Sequence, residues 1–328
     1  MREHGVVFKR DGIYAGWPAN HGAWQWGDEF LVGFLTGKYG SKSMHYCHEP
    51  FTKHLARSVD GGMTWEHEQT PVDFNGHNPT QFLGAPDSAI FRVCGVYDHG
   101  GDDCPESGSC YWSGDRGNSW NGPFLFAGLE EKFAAPLHNT SRTCALDDLL
   151  FLSNAELMCW GTDQVFCARR VDNKFVVVGD IGPAEGRVVM PAAARINNRI
   201  VVAARRRSYS RRDGWIDSFV SDDEGKTWAF GGRVGDTGGH NGNPPAIAVV
   251  DGKLLCVFAN RDEKRICFST SVDGVTWSCR ESVRDDGKND IGYPRLFVRN
   301  DGRAVCVYYW ADAGNPQQHI AYTVIDRA

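Results

Sequence analysis

Four stretches of this 328-residue chain repeat one short pattern: Ser58-Val59-Asp60-Gly61-Gly62-Met63-Thr64-Trp65, Ser113-Gly114-Asp115-Arg116-Gly117-Asn118-Ser119-Trp120, Ser221-Asp222-Asp223-Glu224-Gly225-Lys226-Thr227-Trp228, and the shortened Ser271-Val272-Asp273-Gly274-Val275-Thr276-Trp277. Asp and Gly suit a tight hairpin turn, in which the carboxylate accepts hydrogen bonds from turn amides. The Trp then packs beneath the turn. A D-x-D-x-G run also suits calcium, but the ligands that an EF-hand supplies at later positions are missing. The pattern therefore predicts a structural turn and no metal.

The copies start at 58, 113, 221 and 271, so one interval is about twice the others and hides a degraded copy at Arg170-Val171-Asp172-Asn173-Lys174-Phe175. A second mark keeps the same frame. Trp17-Pro18-Ala19, Ala85-Pro86-Asp87, Met190-Pro191-Ala192, Pro244-Pro245-Ala246 and Tyr293-Pro294-Arg295 each open an apolar stretch that ends in a turn such as Asn197-Asn198, Asp251-Gly252 or Asp301-Gly302. A period of about fifty residues with four short strands per unit is the signature of a β-propeller. Six units follow, at 17–65, 82–120, 141–175, 190–228, 244–277 and 293–326. The expectation is an all-β chain, one six-bladed propeller domain over 1–328, with Val6-Val7-Phe8 adding a strand beside the last unit to close the ring.

With 38 Gly, 14 Pro and 12% aromatic residues, the composition favours turns and strands, and no helical periodicity persists. No apolar run approaches the roughly 18 residues of a membrane-spanning helix. A net charge of −6 argues against a nucleic-acid partner. Eleven cysteines is an odd number, and Cys256, Cys267 and Cys306 fall in apolar strands where a thiol acts as a small hydrophobe. Cys104 and Cys110 flank a loop, which leaves a disulfide between them open. A reducing, cytoplasmic setting is expected, or a secreted or periplasmic one if a signal peptide has been removed.

Strand order predicts which side chains share a face. If the Pro-marked strand is innermost, the repeated turns lie on one face and a candidate binding funnel on the other. The funnel then gathers Trp17, His21, the Lys38 to His54 loop, Asp87, Arg142, Glu185, Arg205 to Arg212, His240, Asn243, Arg261, Arg265, Asp290, Tyr293 and Arg295. Arginine dominates this set, and guanidinium forks match carboxylates bidentately; the alternative is a charge run on a solvated edge. His21 suits a general acid or base, or equally a residue lining a watery channel. His99-Gly100-Gly101-Asp102-Asp103-Cys104 matches no standard metal spacing. No cofactor is expected.

The four repeats resemble the Asp-box, S-x-D-x-G-x-[ST]-W, of bacterial neuraminidase-type repeats, and the whole chain resembles the exo-α-sialidase fold. Ile291-Gly292-Tyr293-Pro294-Arg295-Leu296 is similar to the last-blade segment in which sialidases carry a nucleophilic Tyr. Arg207, with Arg261 or Arg265, lies where that family places members of a carboxylate-binding arginine triad. Three positions depart from it. Gly16-Trp17-Pro18 stands for the family's Arg-Ile-Pro, and Met190 stands where a Glu assists the Tyr. The Lys38 to His54 loop offers His45, His48, Glu49 and His54 in place of an acid/base Asp.

The resemblance implies an exo-acting glycoside hydrolase that removes a terminal, sialic-acid-like sugar. Its carboxylate would meet Arg207, Arg295 and Arg261 or Arg265, with Arg142, Trp17, Asp87, His240 and Asn243 around the ligand. Tyr293 is then the nucleophile, Asp290 or Glu185 its helper, and His21 or His48 the proton donor. Two alternatives stand beside this reading. One is a uronate-glycan lyase or rhamnosidase with His21 as base, since such propeller enzymes are understood to use His with Arg and Tyr. The other is a propeller that binds glycans without turning them over. Oligomeric state has no signature in the sequence.

Overall fold

The structure, a computed structural model, describes the chain apart from residues 1–2, 41–44, 69–73, 75–77, 79, 82–83, 95–108, 126–127, 130–131, 133–143, 155–163, 183–186, 209, 211, 240 and 327–328. Its strands form six antiparallel sheets, the blades of the propeller that the repeats imply. The N-terminus closes the ring as expected. Strand β1 (Glu3–Phe8) pairs with β24 (His319–Ile325), outside β23 (Ala304–Trp310) and β22 (Gly292–Val298), in the sixth blade. This covers the edge that β24 would otherwise expose.

The first blade has β2 (Ile13–Gly16) and β3 (Ala23–Trp26), both paired with β4 (Glu29–Tyr39), then β5 (Cys47–Ser58) and β6 (Glu66–Glu68). A 3-10 turn, Pro18–Asn20, separates β2 from β3. The second blade shows β7 (Ile90–Cys94), β8 (Ser109–Ser113) and β9 (Asn121–Leu125) among the described residues. The third has β10 (Cys144–Leu146), β11 (Leu149–Asn154), β12 (Gln164–Val171) and β13 (Lys174–Ile181). The fourth has β14 (Arg187–Ile196), β15 (Arg199–Arg207), β16 (Gly214–Ser221) and β17 (Ala229–Asp236). The fifth has β18 (Ala246–Val250), β19 (Lys253–Asn260), β20 (Arg265–Ser271) and β21 (Glu281–Arg284).

The second strand of each of these full blades is a nearly continuous apolar run, because neighbouring blades cover both of its faces. Ile200 to Ala204 on β15, Leu254 to Ala259 on β19 and Ala304 to Trp310 on β23 are all fully buried. At about 25 cal/mol per Å² of apolar surface removed from water, these inter-blade layers are the main favourable contribution to the fold.

The four repeated turns share one hydrogen-bond pattern. The Ser58 hydroxyl donates to Asp60 Oδ1 at 2.8 Å and accepts the Gly62 N–H at 2.8 Å. Asp60 accepts the Thr64 N–H at 2.9 Å and hydroxyl at 2.6 Å, and Trp65 Nε1 donates to the Gly62 carbonyl at 3.0 Å. Asp115, Asp223 and Asp273 accept from their own turns in the same way. In the shortened copy Trp277 donates to Ser218 Oγ instead.

Strands β5, β8, β16 and β20 run into these turns, and β12 runs into the degraded one at Asp172-Asn173, so all five share a face. The ends of β4, β15, β19 and β23, with the described residues of the connections that follow them, share the other. Between the innermost strands lies a cavity of about 310 Å³, lined by Trp24, Trp26, Phe91, Arg295 and Phe297 on its turn-ward side.

One sequence mark is misplaced. Ala85-Pro86-Asp87 does not open an inner strand; it precedes β7, which runs antiparallel to β8 and therefore starts at the repeated-turn face. Asp87 accordingly pairs with Arg170, 2.6 Å away beside the degraded turn, on the face opposite the funnel. A Pro next to an apolar run looks the same whether it opens the first strand or the second.

Candidate functional site

Trp17, Met190 and Tyr293 each precede a proline, and each has left-handed backbone geometry, with φ of 55°, 54° and 55°. Bulky residues rarely occupy that region, and the position before proline favours extended backbone. On β14 and β22 the strand pairing shifts register at this point, between Val189 and Ala192 and between Gly292 and Arg295. The three side chains belong to one buried cluster with Tyr14 and Tyr309. Backbone strain of this kind persists only where the surroundings impose it. For Tyr293 the restraint is visible: Asn243, fully buried, accepts the Tyr293 N–H at 2.9 Å and donates to the Ile291 carbonyl at 3.3 Å. Arg261 Nε donates to the same carbonyl at 3.3 Å.

Around Tyr293 the charges are mostly positive. Arg205 Nη1 donates to the Tyr293 hydroxyl at 3.4 Å and to Met190 Sδ at 3.1 Å, while its Nε donates to the Asn241 carbonyl at 2.7 Å. Arg207 donates to the Asn241 side-chain carbonyl. Burial, reinforced by the charges of Arg261 and Arg187, holds the Arg205 guanidinium below its ordinary pKa, with Tyr293 pulling the other way. The Arg261 guanidinium lies 5.5 Å from the Tyr293 ring centre. Cations on two sides favour negative charge on the phenolic oxygen or on a ligand beside it.

Asp290 is the hub of a second chain of contacts. Its Oδ1 meets Arg261 Nη2 at 3.1 Å and its Oδ2 meets His45 Nδ1 at 2.9 Å. Arg261 Nη2 also donates to the Tyr309 hydroxyl at 2.9 Å. Although burial alone would raise it, Arg261 and the hydrogen bond from His45 hold the Asp290 carboxyl below the usual carboxylate range. Burial keeps the Tyr309 phenol well above its ordinary value, so it stays protonated. The rings form a parallel path: His45 stands edge-on to Trp17 at 5.4 Å, Trp17 contacts Tyr309 at 6.4 Å, and Tyr309 contacts Tyr293 at 5.9 Å.

The structure brings Tyr293, Asp290, Arg261 and Trp17 together and places Arg207 next to them through Asn241. Asn243 supports the site from beneath instead of facing a ligand, since both ends of its amide hold backbone. Arg295 donates to the Pro18 and Ala19 carbonyls, at 3.3 and 2.7 Å, and lines the central cavity, because the bulge at Tyr293 takes it out of the alternation that would have set the two side by side. His21 is buried at 1% exposure, and its Nδ1 lies 3.0 Å from Arg92 Nη2 and accepts from it. His48 sits on β5 opposite Lys38 and packs over Gly40. Arg265 is half-exposed at the start of β20, 3.9 Å from Glu263. Arg142, Glu185 and His240, and Cys104 with the disulfide considered for it, lie outside the described residues.

The sequence puts Arg205 and His45 among the funnel candidates but gives neither a role. Arg205 was recoverable, because the period of two along β15 puts it on the same side as Arg207. His45 comes from a loop without periodicity, and nothing local to it announces Asp290, 245 residues away.

No protein-family model matches this sequence, and neither does the sequence of any curated protein. Solved structures do share the fold. A protein of unknown function from Dyadobacter fermentans has a TM-score of 0.73 at 18% identity, over 99% of this chain and 98% of that one. An α-L-arabinanase from Penicillium chrysogenum, complexed with arabinobiose, has a TM-score of 0.63 at 13% identity, over 98% and 97%. A Trypanosoma rangeli sialidase, in complex with the inhibitor DANA, has a TM-score of 0.63 at 11% identity; the match covers 99% of this chain but 59% of that one. The chain thus has the six-bladed propeller fold of sialidases and arabinanases.

Proposed function

We propose that the protein is a glycoside hydrolase acting on a terminal sugar that carries a negative group, with Tyr293 as nucleophile and Arg205 and Arg207 as the anion-binding pair. The observation that carries this reading is the setting of Tyr293: a strained residue, pinned by Asn243, with its hydroxyl toward Arg205 and its ring beside Arg261. Tyr as nucleophile is a known exception to the two-carboxylate rule for glycosidases. Among the described residues Arg205 donates to neutral atoms and has Arg261 and Arg187 as cationic neighbours, so an incoming carboxylate would relieve an unfavourable field. The fold shared with sialidases and arabinanases supports the carbohydrate class.

Calorimetry with N-acetylneuraminic acid and glucuronic acid, each against its methyl ester, tests the anion claim. Tighter binding of the free acids is expected; equal affinity for acid and ester would remove it. Incubation with aryl glycosides of the same sugars tests catalysis, and mass spectrometry of the sugar product separates hydrolysis, which gives the saturated free sugar, from elimination, which gives an unsaturated sugar lighter by one water.

A further inference from the structure

Two carboxylic acids usually share the work of a glycosidase, and Asp290 is the carboxylate that meets Arg261 here. Both of its oxygens are engaged, one by Arg261 and one by His45. Arg261 and His45 hold it ionised, so it carries no proton to give a leaving group. His45 is placed differently. Its side chain is 26% exposed, against 12% for Asp290 and 8% for Arg261, which makes it the most accessible of the three. Its ring is fixed on two sides, by the Asp290 carboxylate at Nδ1 and by the Trp17 indole edge-on. A carboxylate at Nδ1 keeps the proton on that nitrogen, which sets the role of Nε2 on the far side of the ring.

We propose that His45 is the general acid and base of the reaction and Asp290 the residue that positions it. The assignment rests on the hydrolase reading above. In the first step the anomeric carbon–oxygen bond breaks, its electron pair goes to the leaving oxygen, and that oxygen takes the proton from His45 Nε2. Tyr293 Oη bonds to the anomeric carbon and its proton passes to water. In the second step a water oxygen bonds to the anomeric carbon and gives a proton to His45, while the Tyr293 oxygen departs with its electron pair and is reprotonated from solvent. The net change is hydrolysis of one glycosidic bond. Arg261 keeps Asp290 ionised throughout, so the carboxylate can stabilise the imidazolium without itself taking the proton.

The leaving group provides the test. Aryl glycosides of N-acetylneuraminic acid with a 4-methylumbelliferyl group need protonation less than alkyl glycosides do, and 2,4-dinitrophenyl glycosides hardly need it. His45→Gln should lower kcat on methyl glycosides by about 10²–10⁴-fold, the range for general acid–base catalysis, and leave bond cleavage in dinitrophenyl glycosides nearly intact. Asp290→Asn should show the same graded pattern with KM little changed. Equal losses of the His45→Gln variant on all three leaving groups would overturn the assignment while leaving the hydrolase reading standing. Failure of the unmodified protein to cleave any of the glycosides would overturn both. His45 is partly exposed on a loop, so its variant is expected to fold; matching circular dichroism and binding of N-acetylneuraminic acid confirm that.

Discussion

Asn243 holds Tyr293 by the backbone, accepting its N–H at 2.9 Å while donating to the carbonyl of Ile291 two residues earlier. The contact spans two blades and fixes the left-handed turn that sets the direction of the phenol. Gly292 completes the arrangement: its φ is +118°, and a Cβ there would stand 2.4 Å from the Asn243 side chain.

Asn243→Ala should therefore damage the site from below. It strands the buried Tyr293 N–H, while the Ile291 carbonyl keeps Arg261, and this costs about 1–3 kcal/mol. Guanidinium unfolding should show that loss, and turnover of aryl glycosides should fall further than stability alone explains, because Tyr293 is then free to leave its strained geometry.

Tyr293→Phe should abolish turnover while leaving ligand affinity close to that of the unmodified protein, since the Arg205 contact it removes is long, at 3.4 Å. Full activity in this variant would end the nucleophile assignment.

Arg205→Ala should weaken binding of a free acid sugar by about 1.5–3 kcal/mol, as for a hydrogen bond to a charged group, and barely alter binding of its methyl ester. Calorimetry on the four protein–ligand pairs measures the difference directly.

The repeated turns should show in the acid limb of stability. Partial burial would raise the Asp60 carboxyl, yet hydrogen bonds from Thr64, Ser58 and Met63 bring it to about 2. A folded value below the unfolded one, about 3.9, means a contribution fully present above pH 4 and lost as pH falls through 2. The gap in urea midpoint between the unmodified protein and Asp60→Asn should thus be constant near neutrality and close between about pH 4 and 2.

His54 acts in a different window. Burial, with His67 and Arg10 nearby, lowers its pKa to about 4. The unfolded chain takes up the proton first, near the ordinary value of about 6.5, so stability falls as pH drops from 6.5 to 4. His54→Leu should flatten that slope; His319, held low chiefly by burial, leaves a residue of it.

How much was legible from sequence differed sharply between fold and site. The turns announce themselves because each is stabilised within eight residues by its own Ser and Asp, and in three of the four by its own Trp, and their spacing then counts the blades. The closing strand was readable for a related reason, since an unpaired edge in the last blade requires a partner. Asp87 shows where such reading fails, because a proline beside an apolar run does not say which strand of the blade it opens. Arg295 shows a second limit: alternation along a strand places Tyr293 and Arg295 together only if the pairing has no bulge, and here it has one.

By itself, then, the sequence determined the repeat, the turn chemistry, the strand-rich class and the presence of Tyr293 within a set of arginines. Only the tertiary structure decided which of those arginines meets the phenol, that Asn243 is a brace, that His21 is buried against Arg92, and that His45 joins Asp290. The reason is one of range: turn hydrogen bonds and strand periodicity act between residues a few positions apart, whereas the site is assembled from the ends of strands in different blades, brought within 3 Å of one another by the closure of the ring.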